Sequence, residues 1–279
     1  MLKTERMDRV RAALRAQGLT QMIVCDPKSV WYLTGVAVEP YERLLALYLP
    51  TEGEPVLFLN RLFNVPEPPC RTVWHTDTDK PVAQIAEVVD AGKPLGIDKE
   101  WPAKFLIPLM ETHPGMQVVL SSDCVDNCRA CKDAEEQALM REASRINDAV
   151  NETAKHYIKA GMTEREVAEF IDAQFRAHGC EGPSFTTIVS FGANAADPHH
   201  EPDDTVLKEG DCVLFDMGCV KSRYCSDMTR TWFCGQPTEK QAAVHDLVRR
   251  ANEAAEALIK PGVRLCDCLL YTSPSPRDS

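Results

Sequence analysis

The feature that most restricts how this 279-residue chain can fold is a pair of apolar runs that each carry an aspartate. The first spans Gly210 to Gly218 and reads Gly-Asp-Cys-Val-Leu-Phe-Asp-Met-Gly, with Asp216 near its end; the second spans Tyr224 to Thr231 and reads Tyr-Cys-Ser-Asp-Met-Thr-Arg-Thr, with Asp227 in its middle. An apolar strand ending on Asp216, a glycine at 218 that lets the backbone turn, and a returning β-branched run predict two neighbouring antiparallel strands whose carboxylates face one point. Like charges held together require a cation. Divalent metals suit carboxylates, which bind bidentately or bridge two ions, and bridged ions activate a shared water and polarise a carbonyl. Spacing alone also fits aspartates that begin turns or make surface pairs.

The pattern around the pair divides the chain in two. Met7, Val10 and Leu14 recur at helical spacing up to Gly18, and the apolar strand 22–25 follows. Runs 44–49 and 56–59, separated by Pro50 to Pro55, predict a hairpin, and strands at 95–98 and 118–120 alternate with helices around 81–90 and 101–111. Residues 1–123 thus read as an α/β domain, 124–131 as a linker, and 132–267 as a second domain. The second opens with a long helix to about Lys159, striped by Leu139, Ile146, Val150 and Ala154. Two later helices open with capping boxes, Thr163 with Glu166 and Thr238 with Gln241. The aspartate pair lies in the β-rich stretch between them.

Composition narrows the function. A net charge of −11 disfavours nucleic acid and anionic membranes, both of which select Lys/Arg-rich surfaces. The mixed-charge start and the lack of a long apolar run predict a cytoplasmic protein without a membrane anchor. The twelve cysteines are mostly scattered singly within apolar strands and read as reduced thiols. Cys124, Cys128 and Cys131 cluster without a partner at zinc-finger spacing and read as thiols beside the interdomain connection.

The Asp-Met-Gly and Ser-Asp-Met-Thr-Arg-Thr segments, preceded by Thr187 to His199 ending in Asp-Pro-His, resemble the first metal-binding hairpin of the pita-bread metallopeptidases. Residues 1–123 are similar, more loosely, to the creatinase-type N-terminal domain of aminopeptidase P and prolidase. The resemblance implies an α/β fold in which a creatinase-like domain precedes a partial pita-bread domain. It implies that Asp216 chelates one metal, that Asp227 bridges two, and that His199 holds substrate or hydrogen-bonds the tetrahedral intermediate. Thr229 and Thr231 would support the carboxylates. His200 is expected to be solvated. The implied cofactor is two divalent ions, manganese first, with cobalt or zinc as alternatives. The implied substrates are proline-containing peptides, cut at the bond preceding proline, and the implied assembly is a homodimer.

The family's remaining ligands, a His and two Glu, follow the helix that ends here near Lys260, and none is present; His245, Glu253 and Glu256 fall on solvent-facing helical positions. The segment 268–279 resembles translated read-through of a sequencing adapter, so native sequence is expected to stop near Asp267. The chain as written is therefore expected to bind metal poorly, to lack useful peptidase activity, and to expose apolar surface. Alternatives are a metal-dependent lyase or creatinase-like hydrolase on the same fold, and a non-catalytic binding protein.

Overall fold

The computed structural model describes residues 2–267, so the Ser/Pro-rich segment 268–279 and the adapter reading that rests on it lie outside the described residues. The chain forms two compact units, one ending at Lys132 and the other beginning at Asp133.

The first unit runs α1 (Thr4–Ala16), β1 (Gln21–Val24), α2 (Pro27–Thr34), β2 (Ala46–Pro50), β3 (Val56–Asn60), β4 (Arg71–His75), α3 (Pro81–Ala86), β5 (Leu95–Ile97), α4 (Ala103–Thr112), β6 (Val118–Leu120) and α5 (Asp123–Ala130). Its strands make one sheet in the order β4-β3-β2-β1-β5-β6. The β1–β2 and β2–β3 pairs are antiparallel and the others parallel, so the expected hairpin across residues 51–55 is present. Strand β1 has a neighbour on each side and cover on both faces, which is why all four of its residues are buried. Its side chains alternate between two cores. Met22 and Val24 join Val10 and Leu14 of α1, and Ile23 joins Phe58 and Leu95.

The stretch 124–131, expected as a linker, is largely helical. Helix α5 buries Cys124, Val125 and Cys128 in the core that α1 also lines, and Arg9 Nη2 donates to the Cys128 carbonyl at 2.8 Å. The buried cysteines supply apolar bulk, and burial pushes both thiols up.

The second unit runs α6 (Ala134–Tyr157), α7 (Glu164–Ala177), β7 (Gly182–Pro183), β8 (Ile188–Phe191), a 3-10 turn (Gly192–Ala196), β9 (Cys212–Met217), β10 (Cys219–Lys221), β11 (Tyr224–Cys225), β12 (Met228–Phe233) and α8 (Glu239–Leu258). Both expected capping boxes form, and a third, Asp133 with Glu136, opens α6. One sheet has the order β12-β9-β8 and another β11-β10-β7. Val213, Phe215 and Met217 of β9 are buried with Val189 and Phe191 of β8, Val150 and Ala154 of α6, and Val167, Ile171 and Phe175 of α7. Alternation leaves Leu214 and Asp216 on the opposite, half-buried face. Helix α8 buries no residue: Val244, Leu247 and Val248 of its apolar stripe are 54%, 58% and 61% exposed.

The return after β9 is not one strand, as the sequence suggested. It turns at Ser222 and Arg223, both with positive φ (49° and 68°), in a two-residue hairpin loop between β10 and β11. Gly218 serves a different purpose from the turn expected of it. It is not among the positive-φ glycines, and a Cβ there would collide with the Ser226 carbonyl and the Ser184 hydroxyl.

Candidate functional site

Asp216 is the penultimate residue of β9, the central strand of its sheet, and its register partners are Thr229 on β12 and Ile188 on β8. Met217 pairs with Met228, so Asp227 enters β12 one position beyond that pair. Residues two apart share a face, which puts Asp227 on the side of Thr229 and diagonal to Asp216. Asp227 itself precedes β12 and is exposed, two residues before Thr229, the register partner of Asp216.

Asp216 Oδ1 is buried and has no hydrogen-bond partner. A buried carboxylate oxygen without a donor is costly in an apo protein and is the natural ligand atom for a divalent cation. The donor set thus fits metal at Asp216. Among the described residues no third His, Cys, Asp or Glu closes with Asp216 and Asp227 into a tight ligand cluster. Asp227 and Thr229 line a cavity of about 460 Å³ together with Asn147, Asp148 and Asn252. Asn147 is 1% exposed, donates from Nδ2 to the Met217 carbonyl at 2.9 Å, and keeps Oδ1 unpartnered. It occupies a core-facing position of α6 that the apolar stripe did not mark.

Thr229 is exposed and directly opposite Asp216, whereas Thr231 stands one same-face position further on, opposite Leu214. The Thr231 carbonyl accepts from His245 Nε2 at 3.2 Å. His245 and Glu253 keep to the exposed surface of α8, as expected, with Glu253 held by Arg249 at 2.6 Å.

His199 lies after the 3-10 turn that follows β8, exposed, with its backbone N–H donating to Asp197 Oδ1 at 3.0 Å. Its neighbour His200, expected in solvent, is instead partly buried and within 2.6 Å of Glu164 Oε2. Glu164 escaped the sequence reading because the capping box assigned meaning only to Thr163 and Glu166. Its signal was a charged residue in the first turn of a helix, which is common on surfaces, yet here it is fully buried. Glu164, His200 and Asp203 are also the one trio among the described residues whose ligand atoms lie within 4.8 Å of one another.

Residues 6–131 match the creatinase/prolidase N-terminal domain, and residues 138–270 match metallopeptidase family M24. An uncharacterized peptidase of Staphylococcus aureus is 33% identical over 255 residues, covering 88% of this chain and 70% of the relative. One from Staphylococcus saprophyticus is 32% identical over 271 residues, covering 94% and 75%. Among solved structures, prolidase from Thermococcus sibiricus matches with a TM-score of 0.89 at 28% identity, over 98% of this chain and 76% of that one. A dipeptidase from Mycobacterium ulcerans matches at 0.88 and 29%, over 96% and 74%. With both domains matched in order and the relatives aligned along most of their length, the chain belongs to metallopeptidase family M24 and carries a creatinase/prolidase N-terminal domain ahead of its pita-bread domain.

Proposed function

We propose that the site hydrolyses the peptide bond preceding proline, as an Xaa-Pro dipeptidase or Xaa-Pro aminopeptidase. The observation that carries the metal-dependent reading is Asp216, whose buried Oδ1 lacks a donor while Thr229 and, diagonally, Asp227 share its face. The proline preference is supported by the solved relative that is a prolidase. Asp216 and Asp227 would hold two divalent ions, manganese first with cobalt or zinc as alternatives, which when bound supply Lewis acidity and an activated water.

The remaining roles belong to the chain's own side chains. His199, exposed at its loop, donates a hydrogen bond to the oxyanion that develops on the scissile carbonyl. Thr229 orients the Asp216 carboxylate from across the ladder, and Thr231 supports it from the next same-face position. The bond before proline is a tertiary amide with no N–H, so the pocket must accept the ring where other peptides present a donor. Free cysteines throughout the described residues support a reducing, cytoplasmic setting. A homodimer rests on the family resemblance alone.

Incubation with Mn²⁺, Co²⁺ or Zn²⁺ and a panel of Xaa-Pro dipeptides, Xaa-Pro-Xaa tripeptides and matched Xaa-Ala controls tests the reading. The expected result is selective cleavage of proline peptides by the full-length gene product. Equal cleavage of Xaa-Ala peptides would reject the proline preference. No cleavage by the full-length gene product would favour a lyase or a non-catalytic binding protein.

A further inference from the structure

The loop 192–205 that carries His199 converges on a single buried carboxylate. Glu164 is 0% exposed, and four donors reach it. The Phe191 N–H (2.7 Å) and Asn194 Nδ2 (3.0 Å) donate to Oε1, and His200 Nε2 (2.6 Å) and the Asp203 N–H (3.2 Å) donate to Oε2. The entry, middle and exit of the loop are thus tied to one side chain. The backbone reinforces the tie: the Glu164 N–H donates to the Thr205 carbonyl, the Arg165 N–H donates to the Asp203 carbonyl, each at 3.1 Å, and Thr163 bridges to Val206. A carboxylate survives such burial only with donors on both oxygens, and the first turn of α7 adds the favourable end of the helix dipole.

We infer that Glu164 and His200 are positioning residues for His199, anchoring the loop so that the imidazole next to His200 is presented at a fixed place. The inference rests on the role given to His199 above. The anchor follows from chain geometry. His200 turns inward to Glu164, and its sequence neighbour is left outward with its N–H fixed by Asp197. Glu164, His200 and Asp203 are close enough to suggest a cation, but each Glu164 oxygen already has two hydrogen-bond partners.

The test compares Glu164→Gln, His200→Ala and His200→Gln in the full-length gene product. The last keeps a side-chain N–H donor toward Glu164. For an Xaa-Pro substrate, E164Q and H200A are expected to lower kcat about 10- to 100-fold with KM within about threefold, and H200Q is expected to recover most of the loss. In the same samples, amide hydrogen exchange of residues 192–205 should rise in E164Q and H200A while the α6 and α7 core stays protected, and the His199 ring resonances should shift. Unchanged exchange and His199 resonances in these variants overturn the anchor. So does stoichiometric Zn²⁺ bound by the wild type, lost in H200A and kept in Asp216→Asn. If the wild type cleaves no Xaa-Pro peptide, the functional reading fails, and exchange and resonances still decide the anchor. Should E164Q not fold, the two His200 variants, which leave Glu164 its other three donors, carry the comparison.

Discussion

Thr229 stands directly across the antiparallel ladder from Asp216, with Ile188 on the other side, so an aspartate whose buried Oδ1 has no donor occupies the central strand of a three-stranded sheet. Replacing that carboxylate by its amide separates ligation from folding. Asp216→Asn is expected to weaken Mn²⁺ binding at least about 100-fold by calorimetry, and Thr229→Val about 10-fold, in line with the loss of an orienting partner. Folding stability of D216N should stay within about 1 kcal/mol of the parent, because no hydrogen bond to Oδ1 is lost. Mn²⁺ affinity unchanged in D216N would remove Asp216 from the metal site.

Gly218 joins β9 to β10 where the Ser226 carbonyl and the Ser184 hydroxyl leave no room for a Cβ. The Ser184 hydroxyl donates to that carbonyl at 2.8 Å, so the obstruction is part of a bonded unit that cannot swing aside. Gly218→Ala is expected to cost about 2–3 kcal/mol in urea unfolding, an overpacking penalty. The shift should also reach the Asp216–Thr229 register, seen as lost amide protection in β9 and β12. A cost below about 0.5 kcal/mol would show that the strands part without resistance.

The fold was legible where periodicity was strong. The capping box of Thr163 with Glu166 predicted the start of α7, and the aspartate-bearing runs predicted the β9–β12 pairing. Three features were hidden for physical reasons. Helix α2 is short and relies on Asp26 accepting from the Lys28 and Ser29 N–H groups and on Gly35 at φ 75°, and two turns give little periodic signal. Strand β4 borders the sheet with a mixed burial pattern and so has neither alternation nor a continuous apolar run. Glu164 and His200 are polar residues whose burial depends on contacts 36 positions apart, which no local pattern records. The Asp216–Asp227 pair could be proposed from sequence because its two residues lie in consecutive runs; the Glu164–His200 contact could not, because it is tertiary.

Several carboxylates have folded-state pKa values below their ordinary range. Asp77 is lowered chiefly by the hydrogen bond from Arg43, Asp79 by the Thr76 hydroxyl, Glu166 by the Thr163 backbone N–H, Asp203 by the Thr205 hydroxyl, and Asp246 by Arg249. A depressed folded pKa means that the unfolded chain binds protons first as pH falls. The stabilisation is therefore complete above the ordinary carboxylate range of about 4 and is lost as pH drops through that range toward the folded values. Urea midpoints should be flat between about pH 7 and 5.5 and decline below about pH 4. Asp77→Asn should make the decline shallower. All five groups are at the surface, so the effect should be modest and weaker in salt.

Helix α8 presents Val244, Leu247 and Val248 to solvent, and beside it Cys212, Thr231, Phe233, Val244, His245 and Val248 line a largely apolar groove of about 510 Å³. The stripe has the spacing of a buried helix face, yet no α8 side chain is buried. A contiguous apolar surface of this kind drives association in water because it removes area from solvent at no cost in hydrogen bonds. The purified 279-residue chain is expected to bind a hydrophobic dye and to scatter light increasingly with concentration. The triple substitution Val244→Lys, Leu247→Glu and Val248→Lys should suppress both while leaving the melting temperature within about 2 °C, since the replaced side chains bury little area in the folded chain. Association that persists in the triple variant would place the sticky surface elsewhere, whereas a large fall in melting temperature would show that α8 is held by these side chains after all.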